Sequence, residues 1–319
     1  MAELDLLVLG DVNPDIIVSS EHIEPRFDQV EQLVDSIDLV IGGSASITAL
    51  AAARLGLKVG LGAVVGRDRF GDFMMKELQV AGIDVERIRV EPQKATGVTV
   101  VLARESDRAV LTAPGCIEAL GAADLTDLPD RPAKHVHVAS YYLMGQKFRD
   151  ALPATLQRLR TAGVSVSLDT NWDSHERWDL GPLLKMTDVF LPNRAELTAI
   201  ARTSVIGDAL AKVGSAGPTV VTKLAERGAV SWSAGVTRSV RAKESNDFVD
   251  AVGAGDAFNG GYIAALIHGR NPDECLRFAV ATGTLSTRGR GGTAAQPTLT
   301  DADALASSLV VTPGYEESE

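Results

Sequence analysis

The sequence predicts an α/β protein with a central, mostly parallel sheet and helices on both of its faces. Short strand-like runs alternate with longer runs of helical period over most of the chain, which is the order expected of such a fold. The run at 4–10 is almost continuously apolar, as in a strand buried on both faces of a parallel sheet. The run at 44–56 is rich in alanine, with Ser44 as a candidate N-cap and Gly56 at its end, and predicts a helix.

The remaining elements follow the same alternation. Further strands are predicted at 58–65, 135–140, 164–169, 188–193, 218–223 and 228–233, and further helices at 70–82, 152–163, after 253–256, and at 273–287. Residues 12–41 and 94–112 break the pattern, because they contain strand-like runs without helices between them. We expect these two segments to form a small antiparallel sheet that stands off the main layer as a lid.

Composition and charge exclude several classes of protein. Of the 319 residues, 45% are apolar and 23% are charged, which is ordinary for a protein with a sizeable core. The net charge of −11 argues against a nucleic acid or an anionic membrane as the partner. The sequence shows no basic targeting segment, and no charge-free apolar run approaches the roughly 18 residues of a membrane span. We therefore expect a cytoplasmic protein in which Cys116 and Cys275 are reduced thiols.

The segment 246–269 gives the strongest indication of chemistry. Gly253 and Gly255 free the backbone for a tight turn that opens directly into a helix. Since the first N–H groups of a helix have no intrahelical partner and lie at its positive end, this turn predicts an anion hole for a phosphoryl group. Asp256 follows at the mouth of the hole, where a carboxylate can accept the proton of a substrate hydroxyl. The alternative is that Asp256 is an ordinary N-cap and the glycines an ordinary turn.

A second segment, 42–72, has a Gly-Gly turn that leads into a helix and then a strand. Together with the pattern D-x-x-G-A-G-D-x-F-x-x-G, which runs from Asp250 to Gly261, it resembles the two signatures of the PfkB, or ribokinase-like, carbohydrate kinases. Only Ala251 departs from the second signature, where the family usually has Thr. The resemblance implies a ribokinase-like three-layer sandwich, with 1–319 as one kinase domain. It also implies ATP-dependent phosphorylation, with Mg²⁺, of a hydroxyl group of a small sugar, expected to be a hydroxymethyl.

The resemblance also assigns roles to individual residues. Asp256 would be the base, with Gly253, Ala254 and Gly255 as the anion hole. The substrate would contact Asn13, Asp15, Gly42, Gly43, Ile47 and Asp256, and the nucleotide would contact Asn193, Thr222, Lys223, Gly228 and Gly255. Mg²⁺ would be held through water by Asn193 and Glu196, and a monovalent cation such as K⁺ by Asp250 and Val252 with carbonyls of 285–292. Similar kinases are frequently dimers joined through their lids, so a homodimer through the lid is also predicted.

Four departures from the family bear on the substrate. Ile47 stands where the family often has a sugar-binding Asn, and Ser44 where ribokinases often have Lys. Ala225 replaces the usual Gly of the nucleotide strand. Asp173 stands where an Arg is common, which argues against a substrate that already carries a phosphate or carboxylate near this loop.

Several alternatives stay open. A nucleoside kinase would share the anion hole and the catalytic base. An apolar Ile47, with Tyr141 and Tyr142 nearby, could favour the binding of a nucleobase over a sugar. A third possibility is a non-catalytic sensor of a sugar or nucleotide with the same fold. Asp256 argues against it, because a protein that only binds its ligand needs no catalytic base there. Asn-x-x-Glu at 193–196 is by itself typical of a helix N-cap and its partner. His135 and His137 have metal-like spacing on one strand face, but without a third ligand nearby a structural role is favoured.

Overall fold

Two β-sheets organise the chain in the computed structural model, which describes residues 4–104, 107–126, 128, 133–243 and 247–315. The strands are β1 (Leu4–Leu9), β2 (Asn13–Ser19), β3 (Ser36–Gly42), β4 (Val59–Gly66), β5 (Asp84–Glu91), β6 (Val98–Arg104), β7 (Asp107–Ala113), β8 (Ala133–Val138), β9 (Ser165–Leu168), β10 (Val189–Phe190), β11 (Thr219–Lys223), β12 (Ala229–Ser233), β13 (Val236–Val240) and β14 (Val311–Pro313). The helices are α1 (Ser44–Arg54), α2 (Arg69–Val80), α3 (Gln146–Thr161), α4 (Arg194–Ala201), α5 (Ile206–Gly214), α6 (Ala254–Ile267), α7 (Pro272–Ser286) and α8 (Leu299–Ser307).

The main sheet has ten strands in the order β14-β13-β12-β11-β10-β9-β8-β1-β4-β5. The strands from β11 to β5 in this order are parallel to their neighbours, and β12, β13 and β14 are added antiparallel at the other edge. Helices α1, α2, α6, α7 and α8 pack on one face of the sheet, and α3, α4 and α5 on the other. The predicted α/β sandwich with a mostly parallel sheet is therefore confirmed.

A separate four-stranded sheet, in the order β3-β2-β6-β7, forms the lid. The prediction of an antiparallel lid is wrong at one pair, because β2 and β6 run parallel. They follow β1 and β5, which point toward the same edge of the main sheet, so both lid strands leave that edge in the same direction. The predicted lid segment 12–41 also contains an irregular stretch at 20–35, and residues 105–106 of the segment 94–112 lie outside the described residues.

The helices that the sequence predicts lie close to their predicted positions, with one clear shift, whereas α5 and α8 were not predicted. Helix α3 begins at Gln146, six residues before the predicted start at 152, and holds Pro153 in its interior. Phe148 and Leu152 lie four residues apart and are both buried, so the earlier turn adds apolar contact with the sheet. Among the described residues, no helix is long and apolar enough to cross a membrane.

The two histidines of β8 have a structural arrangement. His135 is hydrogen-bonded through Nδ1 to Ser165 Oγ at 2.6 Å and through Nε2 to Ser167 Oγ at 2.7 Å, and His137 Nδ1 lies 2.7 Å from the same Ser167 Oγ. Both rings are fully buried, and desolvation lowers the pKa of His135 to about 3 and that of His137 to about 4. The described residues contain no cluster of three side chains suited to a metal ion.

Candidate active site

A cleft of about 1310 Å³ lies between the carboxyl edge of the main sheet and the lid. Its floor is made by residues at or just after the ends of β1, β9, β10 and β11, and by the first turn of α6. Lid residues such as Asp15, Thr99 and Val110 form the opposite wall. Open α/β sheets bind ligands at this edge, so the cleft is the candidate active site.

Asp15 and Asn13 lie at one end of the cleft, which we call the Asp15 end. Asn13 donates from Nδ2 to Asp15 Oδ1 at 3.3 Å and to Thr99 Oγ1 at 3.2 Å, and this fixes the amide between two lid strands. Asp15 is almost completely buried. Burial and the neighbouring charge of Asp11 raise the pKa of Asp15 to about 7. Its oxygens can accept hydrogen bonds from vicinal hydroxyl groups of a polyol.

The two glycines before α1 have different roles. A Cβ at Gly42 would collide with the Asp15 carboxylate, so Gly42 makes room for that side chain. Gly42 lies against Asp15 and is not among the described residues that line the cleft, which argues against its predicted approach to the substrate. Gly43 does line the cleft. Its φ of 80° is unfavourable for other residues, and a Cβ there would lie 2.7 Å from the carbonyl oxygen of Asp11.

Asp11, which follows β1, caps α1 from outside the helix. Its two carboxylate oxygens accept hydrogen bonds from the backbone N–H groups of Ser44 at 3.0 Å and Ala45 at 3.1 Å. Gly43 occupies the N-cap position and has no side chain for this purpose, so the prediction of Ser44 as the N-cap is wrong. Sequence reasoning missed Asp11. The usable signal was an acid directly after a buried strand, with glycine in place of a capping residue.

The turn before α6 is formed as predicted from its glycines. Gly253 is the N-cap, with φ 69°, and a Cβ on it would lie 2.5 Å from Gly292 Cα. Ala254, Gly255 and Asp256 form the first turn of the helix and line the cleft. Because the first N–H groups of a helix lack intrahelical partners and lie at its positive end, this turn can hold an anion.

Asp256 is not the N-cap of its helix, so that alternative interpretation is wrong. Its carboxylate instead receives a short hydrogen bond from the Ser44 hydroxyl of α1. Burial, together with the charge of Asp169, raises the pKa of Asp256 to about 8, although the Ser44 hydroxyl and Lys223 act in the opposite direction. Such a carboxyl lies near the protonation equilibrium that suits a general base at neutral pH.

Lys223 joins three elements in the centre of the cleft. Its ammonium donates to Asp169 Oδ2 at 2.6 Å and to Asn259 Oδ1 at 3.1 Å, and Asn259 Nδ2 donates to the same Asp169 oxygen at 2.5 Å. Burial opposes its charge, but Asp169 and Glu196 raise the pKa of Lys223 above its usual value. Asp169 and Asn259 were not among the predicted site residues. Asn259 could have been found from its position three residues after Asp256, on the same helix face.

Asn193 and Glu196 form a capping box at the start of α4. Asn193 Oδ1 accepts from the Glu196 N–H at 2.9 Å, and Glu196 Oε2 accepts from the Asn193 N–H at 2.9 Å. The local interpretation as an N-cap and its partner is therefore correct, and both residues also line the cleft. Burial and the charge of Asp169 raise the pKa of Glu196 to about 7.

The predicted nucleotide residues divide between the cleft and the core. Lys223, Gly228 and Gly255 line the cleft with Asn193. Thr222 is fully buried, because alternate residues of a strand face opposite sides and Lys223 takes the side of the cleft. Thr222 is therefore not among the described residues that line the cleft, which argues against its predicted contact with the nucleotide.

Ile47 lines the cleft from behind the turn that precedes α6. A Cβ on Gly253 would lie 3.1 Å from Ile47 Cγ2, and one on Gly292 would lie 2.5 Å from Ile47 Cδ1. Gln296 donates from Nε2 to the carbonyl oxygens of Ile47 at 2.9 Å and Gly292 at 3.2 Å. Ile47 therefore supports the turn, in addition to the predicted place on the cleft wall.

Asp173 organises its own loop. It is buried, and it accepts hydrogen bonds from the N–H groups of His175, Arg177 and Trp178 at 2.8–2.9 Å. Burial opposes the charge, but these bonds hold the pKa of Asp173 below its usual value. Of the two tyrosines considered for a base-binding role, Tyr142 packs edge-on against Trp178.

Asp250 connects the turn before α6 to the loop after α7. Its carboxylate accepts from the N–H groups of Val252 and Gly291, both at 2.9 Å. Its own N–H donates to the carbonyl oxygen of Thr287 at 3.0 Å. Asp250 therefore ties the turn, through Val252, to the segment after α7, through Thr287 and Gly291.

Comparison with known proteins gives the same picture. The family model described as "pfkB family carbohydrate kinase" matches residues 3–299. Over 313 residues, which are 95% of this chain and 97% of the relative, the chain is 33% identical to the ATP-dependent ribose-1-phosphate kinase of Halopiger xanaduensis. It is 26% identical to the ribokinase of Haemophilus influenzae, with 92% of this chain and 95% of that protein covered.

Solved structures share the fold over nearly the whole chain. A protein described as a ribokinase II from E. coli, in complex with ATP and Mg²⁺, has a TM-score of 0.83 at 25% identity, covering 97% of this chain and 100% of that one. A nucleoside kinase of Burkholderia thailandensis in complex with inosine shares the fold with a TM-score of 0.76 at 19% identity, over 95% and 96% of the two chains. The protein is therefore a carbohydrate kinase. The chain belongs to the pfkB family.

Proposed function

We propose that the protein transfers the terminal phosphoryl group of ATP to a hydroxymethyl group of a small sugar, with Asp256 as the general base. The main support for this proposal is the position of the Asp256 carboxylate, in the first turn of α6 beside the backbone N–H groups of Gly255 and Ala254. A hydroxyl at the Asp256 carboxylate would lose its proton there as the oxygen attacks the phosphorus. The N–H groups would stabilise the charge that develops on the transferred group.

Magnesium fits the centre of the cleft. The carboxyls of Glu196 and Asp256 have pKa values raised to about 7 and about 8 by burial and by the charge of Asp169, so an added cation would relieve this repulsion. Asn193 and Glu196 would hold the ion through water, which suits the preference of Mg²⁺ for oxygen ligands and retained waters. When bound, the ion would neutralise charge on the phosphates. The E. coli protein with ATP and Mg²⁺ supports this assignment.

The Asp15 end of the cleft favours a neutral substrate such as free ribose. Asp11 and Asp15 line it as buried carboxyl groups whose pKa values are raised by burial, and an anion bound nearby would disfavour their ionisation further. Asp173 stands where the family often has Arg. It accepts hydrogen bonds from N–H groups of its own loop and provides no positive charge for an anionic substrate. An anionic substrate would meet like charge in a buried place.

Two observations favour other substrates. The relative named ribose-1-phosphate kinase, at 33% identity, favours ribose 1-phosphate. The apolar lid residues Val101 and Val110, with Ile117 and Leu143, would suit the base of a nucleoside. The third possibility, a non-catalytic sensor, is set aside because the chain is a carbohydrate kinase.

A coupled assay of ADP release with ribose, ribose 1-phosphate, fructose and inosine separates these candidates. We expect the highest kcat/KM with a neutral sugar. A higher value with ribose 1-phosphate would contradict the electrostatic argument, and a higher value with inosine would identify a nucleoside kinase. ADP release that no sugar or nucleoside stimulates would contradict the proposed reaction.

A monovalent cation beside the turn is a further part of the proposal. Asp250 and the carbonyl of Val252 would bind K⁺ together with carbonyls of 285–292. The Asp250 carboxylate already accepts two backbone N–H groups, so the ion would add to an existing support. We expect turnover to be several times faster in K⁺ than in tetramethylammonium at equal ionic strength. Equal rates in K⁺, Na⁺ and tetramethylammonium would contradict the site.

The outer face of the lid supports the prediction of a homodimer. Since Asp15, Thr99 and Val110 face the cleft, the alternate residues of the lid strands face outward. The strand register places apolar side chains next to one another across all four strands, in one row of Leu39, Ile16, Val100 and Leu111 and a second row of Ile37, Val18, Leu102 and Ala109. A continuous apolar face of this kind is typical of an interaction surface, and a second copy presents the same face.

A charge on this face tests the dimer. We expect Leu111→Asp, at a residue 63% exposed, to convert a dimer to a monomer in light scattering after size exclusion, because an interface cannot bury an unpaired carboxylate without a large cost. Val205→Asp, at a residue 49% exposed just before α5, is the control and should leave the mass unchanged. A wild-type mass equal to one chain would contradict the dimer.

A further inference from the structure

Two hydroxyl groups of α1 bind Asp256, one at its side chain and one at its backbone. The Ser44 hydroxyl donates to Asp256 Oδ1, and the Thr48 hydroxyl donates to the Asp256 carbonyl oxygen at 3.3 Å. Ser44 and Thr48 lie four residues apart and so share one face of α1. The helices approach closely further along, where a Cβ on Gly260 would lie 2.8 Å from Ala51 Cβ. The first turn of α6 is therefore attached to α1 at two points.

Ser44 is itself held in place. Its backbone N–H donates to Asp11 Oδ2 at 3.0 Å, so the residue is fixed on one side by Asp11, which follows β1, and on the other by Asp256 of α6. The hydroxyl engages Oδ1 of Asp256 and leaves Oδ2 to receive a proton. The motif signatures do not assign this role, because ribokinases often have Lys at the position of Ser44.

The charges around Asp256 make this hydrogen bond important. Asp11, after β1, and Asp169, after β9, both disfavour ionisation of Asp256, while Lys223 of β11 favours it. From α1 the Ser44 hydroxyl is the group that donates directly to the carboxylate. A donor to the charged form stabilises that form.

We propose that Ser44 is a positioning residue for Asp256, whose carboxylate it orients toward the acceptor hydroxyl and holds in the ionised state. The proposal rests on the proposed function, in which Asp256 is the general base. Ser44 also lines the cleft, so its hydroxyl lies beside the place where the substrate hydroxyl must bind.

The test is the pH profile of kcat/KM for the sugar in Ser44→Ala. Loss of one hydrogen bond to a charged group corresponds to an upward shift of the acid limb by about one pH unit. We expect kcat/KM to fall about tenfold at pH values below the acid limb and less than about threefold on the alkaline plateau. Ser44→Thr retains a hydroxyl at the same atom and should restore the wild-type limb.

Thr48→Val is the matched control, because it removes a hydroxyl bound to the backbone of Asp256 and not to its carboxylate. Its acid limb should coincide with that of the wild type. A Ser44→Ala profile that is unchanged, or that is lowered by the same factor at every pH, would overturn the proposal. An active Asp256→Asn enzyme would instead overturn the proposed base. An inactive Asp256→Asn enzyme with an unshifted Ser44→Ala limb would overturn only the role of Ser44.

Discussion

Asp256→Asn is expected to fold normally and to bind ATP and sugar, but to lose at least about a hundredfold in kcat, because general base catalysis contributes about 10² to 10⁴ in rate. The amide has nearly the same shape as the carboxylate and can still accept the hydrogen bond from Ser44. It cannot take up a proton from the acceptor hydroxyl. Turnover is measured by ADP release at saturating sugar, and binding by the rise in Tm with each ligand.

Asp208→Asn provides the matched control for this experiment. Asp208 is the third residue of α5, as Asp256 is of α6, and so it has the same relation to a helix N-terminus. It is not among the residues that line the cleft in the described part of the chain. Its variant should turn over like the wild type. Wild-type turnover in Asp256→Asn would show that the position needs only a hydrogen-bonding group, and the proposed mechanism would be wrong.

The parts of the fold that follow from local pattern could be predicted from the sequence. The conformations of β1 and of the Gly-Ala-Gly turn before α6 are determined by a few neighbouring residues. The direction of β6 relative to β2 could not be predicted in this way, because it depends on where two distant strands leave the main sheet. No local pattern encodes it.

The site was predicted where a residue acts through its own motif, and missed where it acts through a distant neighbour. Asp256 and Gly253 lie in one short motif that points to an anion hole. Gly42 is needed because of Asp15, which lies on another strand, and this contact exists only after β2 and β3 pair. The inward position of Thr222 could have been foreseen, since a strand that turns Lys223 to the cleft must turn Thr222 away.

Lys223→Met is expected to cost about 3–5 kcal/mol in the free energy of unfolding, because it leaves the charge of Asp169 buried without its partner. The side chains of Lys223 and Asp169 are 14% and 6% exposed, and their N–O distance is 2.6 Å. Catalysis should fall as well, because Lys223 is the cation that favours the ionised form of Asp256. Urea unfolding measures the first effect and ADP release the second.

Lys134→Met isolates the contribution of burial, because Lys134 forms an ion pair with Asp5 at almost the same N–O distance, 2.7 Å, with the lysine side chain 57% exposed. Water already solvates that pair, so its loss should cost about 1 kcal/mol or less. The double variant Lys223→Met with Asp169→Asn should regain much of the lost stability, since no buried charge is then left unpaired. Because Asp169 disfavours and Lys223 favours ionisation of Asp256, the double variant should also regain part of the turnover lost in Lys223→Met if Lys223 acts on Asp256 through its charge. Equal destabilisation by Lys223→Met and Lys134→Met would mean that the cleft solvates Asp169 as well as bulk water does, and the electrostatic account of the site would fail.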